Sequence, residues 1–294
     1  MVPLHRSDPR VSVTVGLAMV GLLVLQPALE ILEAQSVAEE SAVPQGPLAA
    51  TQDSLAVTQD SLAVAVPFGP GERMEYQVKL GIFPAGEAYI AVDGLDTVRG
   101  HPTYRLSMGL KGGILFAKVN DTYQSWLDTR RLVTLRFIRD VHEVRYKSFR
   151  EWMIYPEDRR WEQISADRAE TMSTGEPLDE LAFVFWLRTL PLEVGDVYTS
   201  DRYFLDDGNP VVIRVLRKER KEVPAGEFDT IVVQPTFQTK GLFGQGGKAE
   251  IFLTDDPSHH VVYLRSEIPV VGSVTLHLQS ARAGTPLNPP SPVN

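Results

Sequence analysis

The chain has 294 residues, a formal net charge of −9, 43% hydrophobic and 9% aromatic side chains, 21 Pro, 22 Gly and no Cys. This composition excludes a disordered, collagen-like or polytopic membrane chain, and the length allows one large domain or two small ones. Without Cys there are no disulfides, thiolate nucleophiles, Cys-ligated zinc or iron–sulfur centres, and no lipid attachment at an N-terminal Cys.

The first ten residues carry Arg6 and Arg10 against Asp8, and Val11–Leu25 then runs without a charge. A basic start followed by a short apolar run predicts a signal peptide over 1–34, with cleavage after Ala34, or an N-terminal anchor if it stays uncleaved. Either way the remainder is expected to be exported, to the periplasm or cell envelope. Residues 35–66 read as a flexible linker: Ala, Ser, Gln, Val and Pro dominate, and TQDSLAV occurs in tandem at Thr51–Val57 and Thr58–Val64. Two heptads are too few for a coiled coil. Between Arg10 and Arg73 there are seven acids and no Lys or Arg, so residues 73–294 hold a net charge of only −3. The acidity belongs to the linker. A domain this close to neutral, and exported, is not expected to bind nucleic acid.

From residue 67 to 284 the dominant hydrophobic period is two. Met74, Tyr76, Val78 and Leu80 alternate with Glu75, Gln77 and Lys79, the pattern of a half-buried strand. Similar runs are predicted over 87–93, 103–110, 121–128, 133–141, 144–155 and 159–164, and again over 197–205, 210–218, 230–239, 248–254, 261–268 and 273–281. Turn residues separate them, as in Asp206-Asp207-Gly208-Asn209 and Asp255-Asp256-Pro257. Even spacing of short strands predicts a mainly β domain: a large antiparallel curved sheet or a partly open β-barrel. Pro177–Leu190 breaks the period. It is expected as one buried apolar helix, with Pro177 in its first turn and Pro191 stopping it. Apolar side chains fall on nearly every side, so it must be covered on more than one. Residues 285–294 hold four prolines and read as a disordered tail.

With these segments placed, the chain resembles a bacterial envelope family known as domain of unknown function 3108 (DUF 3108). The resemblance runs from about Phe68 to Ala281. It rests on Phe68-Gly-Pro-Gly-Glu72 with Tyr76, on Ala85-Gly-Glu-Ala88, and on Pro177-Leu-Asp179 leading to Trp186-Leu-Arg-Thr-Leu-Pro-Leu192 with Gly195. Further motifs are Pro224-Ala-Gly-Glu-Phe-Asp229, Gly246-Gly-Lys248 and Phe252-Leu-Thr-Asp-Asp256. The resemblance implies an exported, mostly antiparallel β domain and brings no activity or catalytic residues.

The residues themselves disclose no reaction. Gly241–Lys248 lacks the first Gly and the hydroxyl of a phosphate loop and precedes a strand, so it reads as a structural loop. There is no H-E-x-x-H pair and no G-x-S-x-G elbow. His259-His260 would point to opposite faces of a strand and are expected as solvated hairpin residues, without a metal site. Arg214, Arg217, Lys218, Arg220 and Lys221 form a basic cluster that reads as charge blunting an exposed strand end, with an anionic head-group or glycan contact as the alternative. No cofactor is expected. The aromatic residues Tyr123, Trp126, Phe137, Phe149, Trp152, Tyr155 and Trp161 precede the apolar helix. Packing alone accounts for them; the sharper expectation is an apolar groove for a lipid or other amphiphile, with Trp126 and Trp152 on its wall and Phe183 and Trp186 of the helix as its lid. The sequence therefore predicts a non-enzymatic amphiphile-binding protein, peripheral to the membrane unless the N-terminal segment is uncleaved. The alternatives are a structural or interaction protein that binds an envelope protein or glycan, and a cell-wall or lipid hydrolase.

Overall fold

The computed structural model describes residues 64–114, 117–143, 146–238, 248–268 and 272–288. The expected signal peptide or anchor, the linker up to residue 63 with nearly all of its tandem heptad, the glycine-rich segment 241–247 and the last six tail residues lie outside the described residues. Alternation of apolar and polar side chains produces the strands. In β1 (Arg73–Leu80), Met74, Tyr76 and Val78 are buried while Glu75 is exposed. Next come β2 (Phe83–Val98), β3 (His101–Ile114), β4 (Ala117–Asp128), β5 (Thr134–Glu143), β6 (Tyr146–Tyr155), β7 (Arg160–Gln163) and β8 (Arg168–Thr171). A short helix, α1 (Glu180–Leu187), interrupts the series. It resumes with β9 (Val197–Ser200), β10 (Val211–Val223), β11 (Gly226–Thr236), β12 (Lys248–Thr254), β13 (Val261–Ile268) and β14 (Gly272–Arg282).

Among the described residues these fourteen strands form one antiparallel sheet in the order β8-β7-β6-β5-β4-β3-β2-β1-β14-β13-β12-β11-β10-β9. The fold class is the expected one, mainly β with a single buried helix. The sheet is not closed; β8 and β9 are its edges. Nearly every neighbour in space is a neighbour in sequence, and β1 pairs with β14 to bring both ends of the described chain to the middle.

The sheet is strongly curled. At an interstrand spacing of about 4.8 Å, flat strands three and four places apart would lie about 14 and 19 Å from each other. Yet β10 touches both β13 and β14. The long β10–β11 hairpin folds over, and the Ala225 N–H at its turn donates to the Leu278 carbonyl of β14 at 2.9 Å. Lys221 seats its ammonium 3.8 Å from the centre of the Tyr263 ring. Bulges re-aim the strands, for example between Val92 and Gly94 in β2 and between Val215 and Arg217 in β10. Gly86 and Gly112 add a crease: a Cβ on Gly112 would stand 2.1 Å from the Ala85 carbonyl oxygen, and one on Gly86 2.4 Å from that of Lys111.

An antiparallel meander sorts its turns to two ends. The β2–β3, β4–β5, β6–β7, β10–β11 and β12–β13 turns share one end, called here the helix end. The β1–β2, β3–β4, β5–β6, β7–β8, β9–β10, β11–β12 and β13–β14 connections share the other, called the rim. Helix α1 lies at the helix end. It is shorter than expected, because Leu178 stays extended and bridges Tyr203, and Asp179 caps the helix. The Asp179 carboxylate accepts the N–H groups of Leu181 and Ala182 at 2.8 and 3.0 Å, so the first turn is satisfied from inside the core. Phe185 stacks edge-on against Phe68, and Phe183 against Phe237, so the apolar helix is covered from both halves of the sheet.

Candidate functional site

The site begins with the aromatic side chains around α1. Phe137 from β5 stacks on Trp152 from β6 with ring centres 5.5 Å apart, and Phe204 meets Phe137, Trp152, Trp161 and Tyr203 edge-on. Such offset and edge-on pairs add about 0.5–1.5 kcal/mol each beyond area burial. Of the four aromatic residues expected to bind a ligand, Phe183 and Trp186 sit together on the helix, 5.6 Å between ring centres. Phe183 is buried, and Trp186 is half-buried with Arg202 over its ring. Trp152 faces the same core from the sheet wall. Trp126 does not join them. In β4 the inward positions are Tyr123, Ser125 and Leu127, so Trp126 points to the opposite face. There it packs with Val98, Val133 and Leu135 and donates its ring N–H to Asp96 at 2.8 Å.

Polar groups are buried beneath the helix start. Glu180 accepts the Tyr203 hydroxyl at 3.0 Å and lies 3.9 Å from Arg139, which comes from an inward position of β5. Burial pushes the Glu180 carboxyl up, and the Arg139 charge only partly offsets it. Burial opposes the charge on Arg139, but Tyr123, Glu180 and Tyr203 around it hold the guanidinium protonated. Asp121 and Glu143, also turned inward, are likewise raised by burial. Among the described residues, Glu180 Oε2, Glu143 Oε1, Thr103 Oγ1 and the Tyr104 hydroxyl are buried without a hydrogen-bond partner. Asp179 is pushed up to about 7, chiefly by burial, against hydrogen bonds from Ser125, the Ala182 N–H and Thr134 that favour its charge. The result is a packed apolar interior with a group of ionisable side chains buried in it.

At the other end of α1, the buried Arg188 guanidinium forms a two-pronged pair with Glu72 at 2.6 and 3.1 Å and donates to the Ser258 carbonyl. Burial alone would raise Glu72, but His260 and Arg188 bring it below the ordinary carboxylate range. Ser258 Oγ lies 3.1 Å from His260 Nδ1, and His260 Nε2 is 3.5 Å from Glu72, the residue types of a hydrolytic triad. The Ser258 hydroxyl, however, donates to Asp256 at 2.5 Å, and the same Asp256 oxygen accepts the Ser258 N–H at 2.8 Å. Glu72 is taken up by Arg188. The group works as a clamp that fixes the β12–β13 turn over the end of the helix. His259 and His260, expected as solvated hairpin residues, are instead parts of that clamp, with His259 Nδ1 2.9 Å from the Arg188 carbonyl.

Three of the five side chains in the basic cluster of β10 pair with acids, and Lys221 lies over the Tyr263 ring. Arg217 pairs with Glu219 and Glu250, Lys218 with Asp255, and Arg220 with Glu227 and Asp229. The bulge after Val215 shifts the alternation that would have put Arg214, Lys218 and Arg220 on one face with Leu216. A separate cleft of about 330 Å³ opens over β1–β4, lined by Arg73, Glu75, Glu87, Tyr89, Lys111 and Thr122 among others. It combines charged side chains with apolar ones such as Tyr89 and Leu110 and includes none of the four expected ligand residues. Among the described residues no group of three or more His, Asp or Glu could hold a metal ion, and no helix is long and apolar enough to cross a membrane.

Sequence reasoning missed Phe204, Phe237, Arg139 and Glu180 as members of this interior. A signal existed for Arg139: it falls in inward phase between Phe137 and Val141, where an alternating strand should carry an apolar residue.

No curated protein matches the chain. Its structure is similar to that of a β-barrel-like protein of domain of unknown function DUF1849 from Brucella abortus, with a TM-score of 0.49 and 8% identity over 75% of this chain and 99% of that one. A hypothetical protein from Chlamydia trachomatis aligns with a TM-score of 0.32 and 7% identity, over 76% of this chain and 93% of its own. Residues 75–279 match the profile of the family described as "Protein of unknown function (DUF3108)". That match spans well over half of the chain and nearly all of the sheet, and the protein belongs to the DUF3108 family.

Proposed function

We propose that this protein is an exported, non-enzymatic component of the bacterial cell envelope whose curled β domain binds an apolar or amphiphilic, lipid-like ligand. The observation that carries the reading is the apolar interior around α1. A helix apolar on nearly every side is enclosed by a curled sheet, and the buried group of Arg139, Glu180 and Tyr203 is placed to meet a polar head group. On this reading Phe183, Trp186 and Trp152 contact the apolar part of the ligand, and Trp126 on the opposite face does not. Export is supported by the basic and then apolar start of the sequence.

A second reading, a structural or partner-binding protein, is favoured by the rings around Phe204, which fill part of the same interior. Native mass spectrometry with solvent extraction on protein recovered from an exporting bacterial host separates the two. A lipid at near-unit stoichiometry, lost in a Trp186→Asp variant that keeps its circular dichroism, supports the amphiphile reading. A clean apo mass for a folded protein, with no saturable uptake of a fatty-acyl probe, refutes it.

A further inference from the structure

The cleft over β1–β4 lies on the outer face of the sheet, away from α1. In β1 the inward side chains are Met74, Tyr76 and Val78, so Arg73 and Glu75 stand outside. Strand register puts Glu87, Tyr89, Lys111, Asn120 and Thr122 on the same face. The outside of a curled sheet is convex, and its side chains spread apart. A depression of about 330 Å³ there has to be made by departures from the regular strand, and its size is within the range of small-molecule sites.

Three departures meet at this place. Gly109 leaves a gap in the cross-strand row Glu75, Tyr89, Gly109, Thr122. The Tyr89 ring lies over that gap, since a Cβ on Gly109 would stand 2.3 Å from it. Strand β14 bulges opposite Glu75 and Tyr76, and the extra residue is Gln279, which lines the cleft. Bulges re-aim side chains beside functional sites. The crease at Gly86 and Gly112 adjoins the next row, Glu87, Lys111 and Asn120.

One wall of the cleft is tied and the other is open. Arg73 stacks its guanidinium 3.9 Å from the centre of the Tyr89 ring and donates to Glu75 at 2.9 Å, while Glu75 accepts the Ser280 hydroxyl at 3.1 Å. Among the described residues, the exposed side chains of Glu87, Lys111, Asn120, Thr122 and Gln279 make no hydrogen bond or ion pair. Glu87 and Lys111 face each other directly across β2 and β3, where opposite charges are favoured as a pair, yet they stay apart.

This set of groups selects its ligand. An anion would meet Arg73 and Lys111 but also Glu75 and Glu87, and a cation would meet the reverse. The two charges of each sign balance, and the amides of Asn120 and Gln279 and the hydroxyl of Thr122 both donate and accept. A neutral polyhydroxylated ligand, each of whose hydroxyls also donates and accepts, satisfies all of them together. We propose that the cleft is a saccharide-binding site that takes a neutral sugar unit of a glycan chain. Glu87 accepts from its hydroxyls, Lys111 donates to them, Asn120, Thr122 and Gln279 do both, and Tyr89 supplies the apolar wall. The site contains none of Arg139, Trp152, Phe183 and Trp186, so it stands whether or not the interior around α1 binds an amphiphile.

The test is titration of the full chain, recovered from an exporting host, with linear N-acetylglucosamine and glucose oligomers, read by saturation-transfer NMR of the sugar protons. Expected is saturable binding of at least one series. Lys111→Met should weaken it about fivefold and Asn120→Ala/Gln279→Ala about tenfold or more, from the loss of one and two hydrogen-bonding side chains. Thr122→Trp, which fills the cleft from an exposed position, should abolish it. Lys147→Met, exposed on β6 away from the cleft, should bind as the parent does. Unchanged thermal midpoints verify that each variant folds. Sugar binding that survives both Asn120→Ala/Gln279→Ala and Thr122→Trp would overturn the proposal, as would no binding of either series by the parent. Tighter binding of tetra-alanine than of the sugars would also overturn it, by making Glu87 and Lys111 a site for the two charged ends of a peptide.

Discussion

Asp179 gives a sharp test of how α1 is held. Its carboxylate is buried, caps the first helical turn and takes hydrogen bonds from Ser125 at 2.5 Å and Thr134 at 2.8 Å. Burial dominates these contacts and lifts the group from an ordinary value of about 4 to about 7. Between those pH values the unfolded chain releases a proton that the folded protein keeps. Stability is therefore full below about pH 4, falls as pH rises and levels off above about 7, a loss of about 4 kcal/mol from this group. Glu180, also raised by burial, acts in the same direction. Asp179→Asn keeps an oxygen acceptor for the Leu181 and Ala182 N–H groups but cannot titrate. Urea unfolding of both proteins, followed by tryptophan fluorescence from pH 4.5 to 8, isolates the group, since all other titrations are shared. The variant should gain on the parent by about 3 kcal/mol over that range. If the variant instead loses ground as pH rises, Asp179 is an ordinary ionised N-cap and the reasoning from burial is wrong.

Breaking the buried Arg188–Glu72 pair from one side, by Arg188→Met or Glu72→Gln, should cost about 3–5 kcal/mol in denaturant unfolding, because a desolvated charge is left alone. The double variant should be less unstable than the sum of the two; strict additivity would mean the pair does not couple. Phe204→Ala, which removes the hub of the ring cluster, should cost about 3–5 kcal/mol and leave a cavity, read as a lowered thermal midpoint. Gly112→Ala should cost about 1–3 kcal/mol, since its Cβ would meet the Ala85 backbone at 2.1 Å and no side chain can move aside; a neutral effect would show that the sheet crease is soft. Ser258→Ala should leave any hydrolytic background unchanged while shifting the thermal midpoint, as expected for a turn clamp and not for a nucleophile.

Much of this protein was legible in its residues. Strand phase is local: with a period of two, Met74, Tyr76 and Val78 declare their common face without knowledge of any partner. Turn residues then cut the chain into hairpins, and a meander follows when each strand pairs with the next. The apolar helix was visible for the same reason, because side chains on all its sides demand cover. The short, four-residue β8 carries no such signal and was not expected; its pairing with β7 holds it in the sheet. Likewise Trp126 and Trp152 looked alike as aromatics in neighbouring strands. Alternation in β4 puts Tyr123, Ser125 and Leu127 inward and Trp126 on the far face, where it packs with Val98, Val133 and Leu135.

Only the tertiary structure decided what long-range contact decides. The sequence contains Arg139, Glu180 and Tyr203 far apart, and nothing in their spacing brings them into one recess. The same holds for Glu72, Arg188 and His260, assembled where the start of β1, the end of α1 and the β12–β13 turn converge. Register, too, is a property of pairs of strands: the pairing of Gly86 with Gly112 that creases the sheet is set between β2 and β3, not within either. Local periodicity dictated which side of each strand is dry, while curvature and register, which depend on every strand at once, determined which residues meet.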